Sequence, residues 1–149
     1  TRDFVYPVFV THGRNVQLEI EPMPGTYQLS LDRLLMEIAT IVDLGIPAVL
    51  LFGIPSSKDA EGSEAYDPNG IIQEAIRVIK QAAPHLLVIT DVCLCDYTVH
   101  GHCGVVNNDA VDNDRSLELL ARAALCQAEA GSDIVAPSAM MDGQVTYLN

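Results

Sequence analysis

Apolar residues along this chain form either short continuous runs or helical stripes. Continuous runs, rich in β-branched and aromatic residues, occupy 4–10, 48–54 and 86–92, and a fourth run begins at 133–136. Such runs predict strands that are buried on both faces, as in the middle of a parallel sheet. Pro7 cannot donate a ladder hydrogen bond, so we expect an edge or an irregularity in the first strand.

Three segments between these runs carry apolar residues at spacings of three and four, which predicts helices with one buried face. The predicted helices begin near Leu31, Ile71 and Arg115 and end at Gly45, Pro84 and Gly131. Ser30 is a typical N-cap residue, and the glycines are typical of helix C-termini. The final residues, 146–149, predict no helix after the fourth strand.

The resulting order is β-α-β-α-β-α-β, which predicts a parallel α/β architecture. The pattern is compatible with an open doubly wound sheet or with a barrel. Four strands alone cannot close a (β/α)₈ barrel, which needs ~250 residues. In both architectures a functional site forms at the carboxyl ends of the strands, so we expect chemistry near residues 53–54, 91–93 and 137–138.

Two polar, turn-rich segments connect the predicted elements, at 11–28 and 55–70. The second is long for a connection between a strand and a helix, and long loops often carry function. We expect its four carboxylates to form a solvated face rather than a metal site. They are Asp59, Glu61, Glu64 and Asp67.

The overall composition excludes several classes of protein. The 149 residues include 8 Lys and Arg against 20 Asp and Glu, a formal charge of −12, which argues against nucleic-acid and anionic-membrane partners. A hydrophobic fraction of 49% excludes a disordered chain. No apolar run reaches the ~18–20 residues of a membrane span, and the first residues do not resemble a signal peptide.

Three of the four cysteines lie close together after the third predicted strand, in a C-x-C-x7-C pattern: Cys93, Cys95 and Cys103. Clustering of this kind indicates a metal or thiol site in a reducing compartment, which we take to be the cytoplasm. Side chains alternate along an extended segment, so Cys93 and Cys95 share one side, and the glycines at 101 and 104 allow the loop to return. Three thiolates leave one open position on a tetrahedral Zn²⁺ ion.

Other candidate residues have alternative interpretations. His100 and His102 are candidates for a fourth ligand or for contacts to the ligands. Asp91 ends an apolar strand, where a charge is either functional or held by structural hydrogen bonds. Ser138, taken alone, is an ordinary loop hydroxyl. A Cys93–Cys95 disulfide would be strained.

The remaining cysteine and histidines have structural interpretations. We expect Cys126 to pack in the core beside the apolar face of the third helix. We expect His12 and His85 to be ordinary surface residues.

Residues 91–104, DVCLCDYTVHGHCG, resemble the zinc loop of the porphobilinogen synthase (5-aminolevulinate dehydratase) family. The resemblance extends through FVYPVFV, MPGTYQLSLD, LFGIPSSKDAEGSEAYDPNG, VDND and APSAMMDGQV, in that order. It implies that Cys93, Cys95 and Cys103 bind Zn²⁺ and that Asp91 and Ser138 lie in the active site. It makes His102, with its neighbour His100, a contact of the metal ligands.

The resemblance also implies an activity and a complete fold. The family is a (β/α)₈ TIM barrel, a hydro-lyase of heme and porphyrin biosynthesis that condenses two 5-aminolevulinate molecules to porphobilinogen with loss of two waters. Its members are cytoplasmic homo-oligomers, octamers in the family, and some of them use Mg²⁺. Zn²⁺ is therefore the expected cofactor here, with Mg²⁺ as a second candidate ion.

The family forms Schiff bases through two lysines on later strands. This chain has only Lys58 and Lys80, and neither matches a Schiff-base position. We therefore expect residues 1–149 to be one partial barrel domain, without the second half and most of an N-terminal arm, able to bind zinc but not to complete the reaction alone.

Two other functions are compatible with the residues. One is a small metal-binding or thiol-redox protein that uses the C-x-C-x7-C loop. The other is a non-catalytic half-barrel, whose exposed apolar strand edges would lead it to dimerise or aggregate.

Overall fold

Four parallel strands with helices between them form the frame of the molecule, which a computed structural model describes over residues 3–148. The strands are β1 Val5–Thr11, β2 Gln17–Glu19, β3 Tyr27–Leu29, β4 Ala48–Ile54, β5 Leu87–Val92, β6 Val105–Asn107, β7 Ala110–Asp112 and β8 Ile134–Pro137. The helices are α1 Leu31–Asp43, α2 Ile71–Ala82, α3 Asn113–Ala130 and α4 Gln144–Leu148, with a 3₁₀ turn at Ser63–Tyr66.

The main sheet has six strands in the order β2-β3-β1-β4-β5-β8. Strands β1, β4, β5 and β8 pair in parallel, each joined to the next across a helix, which confirms the predicted α/β order. In the last pair Asp91 lies opposite Ala136 and Val92 opposite Pro137. The carboxyl ends of β5 and β8 therefore meet at one edge of the sheet, as expected for parallel strands.

Pro7 occupies the half of β1 that is paired on one side. It lies opposite Leu50 of β4, whereas β3 pairs only with Phe9 and Val10. The missing N–H of Pro7 therefore falls where β1 is locally an edge, and the predicted edge position is confirmed.

The apolar core has two parts. In the first, α1 and α2 cover one face of the sheet, and residues such as Val49, Leu51 and Ile76 are at most 1% exposed. In the second, α3 packs beneath the chain that follows β5, where Leu94 and Leu119 are fully buried. The second cluster therefore packs beneath residues 93–103, the cysteine segment, and holds it in place.

Several predicted boundaries differ from the structure. The 11–28 segment is not only a turn-rich loop, because it contains β2 and β3, which pair antiparallel. A further antiparallel hairpin, β6–β7, follows the cysteines, and α3 begins at Asn113. The expectation of no helix after the fourth strand was wrong, since α4 follows it.

These missed elements are short, and apart from Leu29 of β3 they contribute no buried residue. All three residues of β2 are exposed, and none of the residues of α4 is buried. They therefore lack the apolar periodicity by which sequence reveals a strand or a helix. Within residues 3–148, no helix combines the length and the apolar character needed to cross a bilayer.

Candidate metal centre

Three thiols converge just beyond the carboxyl end of β5. The Sγ atoms of Cys93, Cys95 and Cys103 all lie within 4.8 Å of one another, and those of Cys93 and Cys95 are 3.3 Å apart. A tetrahedral zinc ion with Zn–S distances of ~2.3 Å holds its sulfur ligands ~3.8 Å apart. The three sulfur atoms therefore lie close enough together to bind one soft divalent ion, with one tetrahedral position left open.

A tight turn after β5 brings the third cysteine back toward the first two. The backbone N–H groups of Tyr97 and Thr98 both donate to the Leu94 carbonyl, at 2.9 and 3.0 Å. Leu94 and Tyr97 are buried in the second core cluster, which anchors the turn. Gly101 has φ +72°, a conformation that favours glycine, and it reverses the chain just before Cys103.

The 55–70 loop packs on this turn. Asp59 pairs with Thr98 in an isolated parallel bridge, donating its N–H to the Tyr97 carbonyl at 3.2 Å and accepting from Val99 N–H at 3.0 Å. Arg115, in the first turn of α3, contacts Glu61 at 3.2 Å. The long loop therefore supports the cysteine segment, and a functional role for the loop stays a prediction.

Burial favours the protonated form of two of these thiols, Cys95 and Cys103. It is the main cause that raises the pKa of Cys95, and the neighbouring Cys93 raises it further. Burial and the proximity of Cys93 likewise raise the pKa of Cys103. Both thiols therefore favour the protonated form without a cation, and a divalent cation that binds them displaces these protons.

Two carboxylates flank the cluster. Burial raises the pKa of Asp91, while its interaction with the Ser138 side chain acts in the opposite direction. Burial also raises the pKa of Asp96, against the charge of Lys58. The structure thus brings Asp91, predicted from its strand end, together with Ser138, whose N–H donates to the Val92 carbonyl at 3.3 Å.

Sequence reasoning missed one buried group that holds Asp91. Gln127 of α3 is 2% exposed, and its Nε2 donates to the Asp91 carbonyl at 3.0 Å. A buried glutamine on an otherwise apolar helix face was the available signal, because buried amides need partners.

The two candidate histidines lie beside the cluster at exposed positions. Nδ1 of His100 accepts from the His102 N–H at 3.2 Å, and its Nε2 lies 3.3 Å from the Ala60 carbonyl. A neutral ring protonated at Nε2 satisfies both contacts. In the described part of the chain, the group of metal-ligating atoms contains the three cysteines and neither histidine.

Most of the other candidate residues lie away from the cluster. Cys126 is only partly buried, with its thiol 3.4 Å from the Tyr66 carbonyl, so it lies at the margin of the core rather than within it as predicted. His85 is exposed, as predicted. His12 is not an ordinary surface residue, because its Nε2 lies 2.6 Å from a Glu64 carboxylate oxygen.

The same contact corrects the prediction for one of the four loop carboxylates, Glu64. Glu64 is only 13% exposed and also accepts from the N–H and hydroxyl of Ser56, both at 3.1 Å. Asp59 accepts from the backbone of Glu61 and Ser63. Asp59 and Asp67 are nevertheless exposed to solvent, as predicted, whereas Glu64 is largely buried and holds the loop in place.

The fold and this cluster define a class: a parallel α/β protein with a three-thiol site at the carboxyl edge of its sheet. The family model of delta-aminolevulinic acid dehydratase matches residues 1–149. The chain belongs to the delta-aminolevulinic acid dehydratase family.

Curated relatives support this assignment along the whole chain. The delta-aminolevulinic acid dehydratase of Halalkalibacterium halodurans is 57% identical over 146 residues, covering 98% of this chain and 44% of the relative. That of Bacillus subtilis is 51% identical over 146 residues, covering 98% and 45%. The chain thus spans less than half the length of these relatives.

A solved structure has the same fold. The delta-aminolevulinic acid dehydratase of Toxoplasma gondii, described as a complex with the reaction product porphobilinogen, superposes with a TM-score of 0.93 at 36% identity. The match covers 97% of this chain and 42% of that one. The chain therefore has the architecture of part of a TIM barrel, as predicted.

Proposed function

We propose that the protein to which this chain belongs is a porphobilinogen synthase, condensing two 5-aminolevulinate molecules to porphobilinogen with loss of two waters. The observation that carries the proposal is the three-thiol cluster at the carboxyl edge of this family's fold. The family match over the whole chain favours this function over a small thiol-redox or metal-binding protein.

Cys93, Cys95 and Cys103 would hold a Zn²⁺ ion, since thiolates are soft ligands that prefer zinc to magnesium. When bound, the ion supplies Lewis acidity toward an oxygen or nitrogen atom in its open position. Magnesium would need oxygen ligands, so a Mg²⁺ ion would lie at another site.

The chain's own residues would orient a substrate and move protons beside the thiols. Asp91, whose raised pKa favours uptake of a proton, is suited to proton transfer, and the Ser138 hydroxyl is suited to a hydrogen bond with a bound substrate. His102 and His100 would fix the segment that carries Cys103. These roles follow the positions that the family resemblance implies.

Neither lysine of this chain suits the covalent step. Lys80 lies at the amino ends of the strands, where its Nζ contacts Asp133 at 2.7 Å and the Leu86 carbonyl at 3.3 Å. Lys58 lies in the loop after β4, where the family resemblance places no Schiff-base lysine. The Schiff-base lysines of a complete synthase would therefore come from outside residues 1–149, which we treat as one partial barrel domain.

We also propose that the synthase is a cytoplasmic homo-oligomer. Four free thiols are compatible with a reducing compartment. The exposed edge residues Val5 and Ile134, each 47% exposed, are apolar surface that a neighbouring chain or further barrel strands would cover.

The test of this function is porphobilinogen formation from 5-aminolevulinate by the full-length protein, with and without a zinc chelator. We expect chelation to abolish product formation and added zinc to restore it. Cys103→Ser should abolish activity, whereas the matched Cys126→Ser variant should retain it. Full activity after complete zinc removal would contradict the proposal.

A further inference from the structure

We propose that two buried hydroxyls, those of Thr98 and Ser116, position Cys103 as the third ligand of the thiol cluster. The inference rests on the proposed metal site and adds the residues that shape it. Both hydroxyls bond to the backbone on either side of Cys103, and neither belongs to the group of ligand atoms.

Thr98 fixes the chain just before the third cysteine. Its side chain is 1% exposed, and Oγ1 donates to the carbonyl of His102 at 3.0 Å. The Thr98 N–H is itself bonded to the Leu94 carbonyl at 3.0 Å. The hydroxyl therefore joins the residue before Cys103 to the buried turn that carries Cys95.

Ser116 fixes the chain just after the third cysteine. Its hydroxyl, in a fully buried residue of α3, accepts from the Val105 N–H at 2.9 Å and donates to the Asp112 carbonyl at 2.5 Å. Gly104 packs directly on it, because an added Cβ would overlap Ser116 Oγ and approach the Met141 methyl to 2.9 Å. The segment after Cys103 therefore packs against the first turn of α3.

The hydrogen bonds of these two hydroxyls fix the position of one ligand only, Cys103. Cys93 and Cys95 follow β5 directly, and their sulfur atoms already touch at 3.3 Å. Cys103 lies eight residues beyond Cys95, outside any strand, so its position depends on the bonds that bracket it. Loss of either hydroxyl removes a hydrogen bond that holds the backbone beside Cys103, and it frees the segment from the cluster.

The chain offers a closely matched control for a purely structural effect. Ser30 is also fully buried and precedes a helix, α1. Its hydroxyl accepts from the Val16 N–H at 2.9 Å and donates to Asp32 at 2.7 Å, far from the cysteines in sequence. Removing it should cost stability without changing the metal site.

The experiment compares metal binding by the purified protein and four variants: Thr98→Val, Ser116→Ala, Thr98→Ser and Ser30→Ala. We expect Thr98→Val and Ser116→Ala to weaken zinc binding by about 10- to 100-fold, the usual cost of losing a group that orients a ligand. Thr98→Ser keeps the hydroxyl and should bind zinc as tightly as the parent. Ser30→Ala should also bind zinc with the parent's affinity.

Cobalt substitution supplies a readout independent of activity and of affinity. The intensity of thiolate-to-cobalt charge transfer should fall by about one third in Thr98→Val and Ser116→Ala as one of three thiolates leaves the ion. In a Cys103→Ser background, adding Ser116→Ala should change zinc affinity no further, because the hydroxyl acts through that cysteine.

The outcomes separate this inference from the proposed function. Normal zinc binding by the parent, with unchanged affinity and spectra in Thr98→Val and Ser116→Ala, overturns the positioning role alone. Equal losses in Ser30→Ala also overturn it, since the effect would then be general destabilisation. A parent protein that binds no zinc or cobalt through its cysteines overturns the metal site, and this inference with it.

Discussion

At the scale of single residues, Asp133, just before β8, contributes to the stability of the fold and lies away from the thiol cluster. Asp133 accepts from Lys80 Nζ and from the Val88 N–H, both at 2.7 Å. Burial alone would raise the pKa of Asp133, but these two hydrogen bonds and the Lys80 charge hold it below its ordinary value. The ionised carboxylate therefore links α2, β5 and the start of β8.

Because the pKa of Asp133 is lower in the folded protein, its contribution to stability is present above the unfolded-state pKa of ~3.9. It is lost as the pH falls through the lowered folded-state value. We expect Asp133→Asn to reduce the free energy of unfolding by about 1 kcal/mol at neutral pH.

Urea unfolding of the parent and Asp133→Asn, across a series of pH values, measures this difference. It should shrink toward zero as the parent carboxylate becomes protonated in acid. A difference that stays constant down to the lowest pH at which the protein folds would contradict the ionic origin of the effect.

At the scale of elements, α3 connects the cysteine segment to the core. Its N-cap is Asp112, whose Oδ1 accepts from the Arg115 N–H at 3.1 Å. The same first turn carries Ser116, which accepts from the backbone two residues after Cys103. The first turn of α3 therefore caps the N-terminus of the helix and also holds the segment that follows Cys103.

Removing the cap should weaken the helix start. We expect Asp112→Ala to lower the free energy of unfolding by about 1 kcal/mol, as is usual for loss of an N-cap side chain, and Asp112→Asn to preserve most of it. Thermal and urea unfolding measure both. Equal losses in the two variants would show that the charge, rather than the cap hydrogen bond, is what matters.

The elements differ in how well their sequences predict them. The stripes of α1 and α2 place Leu34, Ile38 and Ile76 in the core, and these residues are at most 2% exposed. β2 and the β6–β7 hairpin have no buried residue, so no burial pattern marks them in the sequence. An element is predictable when its apolar residues recur at a regular spacing because they pack against distant parts of the chain. Short strands that only pair with a neighbour leave no such spacing in the sequence.

The candidate site was predictable to the same extent. The C-x-C-x7-C spacing predicts three thiols in one segment, and the structure brings their sulfur atoms within 4.8 Å. The hydroxyls that bracket Cys103 were not predictable, because each depends on how a loop meets a buried turn or a helix. The pairing of His12 with Glu64, 52 residues apart, was likewise invisible in the sequence.

For the molecule as a whole, metal binding should appear as added stability. A ligand that binds only the folded state, at a free concentration of 100 times its Kd, stabilises by about 2.7 kcal/mol. We expect zinc to raise the melting temperature of the parent and of Cys126→Ser, and to leave that of Cys103→Ser nearly unchanged. Calorimetry measures these shifts, and an equal shift in all three proteins would contradict binding at the cluster.

The most direct test of the central claim is X-ray absorption at the zinc edge of the purified, zinc-loaded protein. We expect one zinc ion per chain with three sulfur neighbours at ~2.3 Å and one nitrogen or oxygen neighbour. We also expect that one sulfur neighbour is lost in Cys103→Ser. A spectrum with only nitrogen and oxygen neighbours, or one unchanged by that substitution, would contradict it.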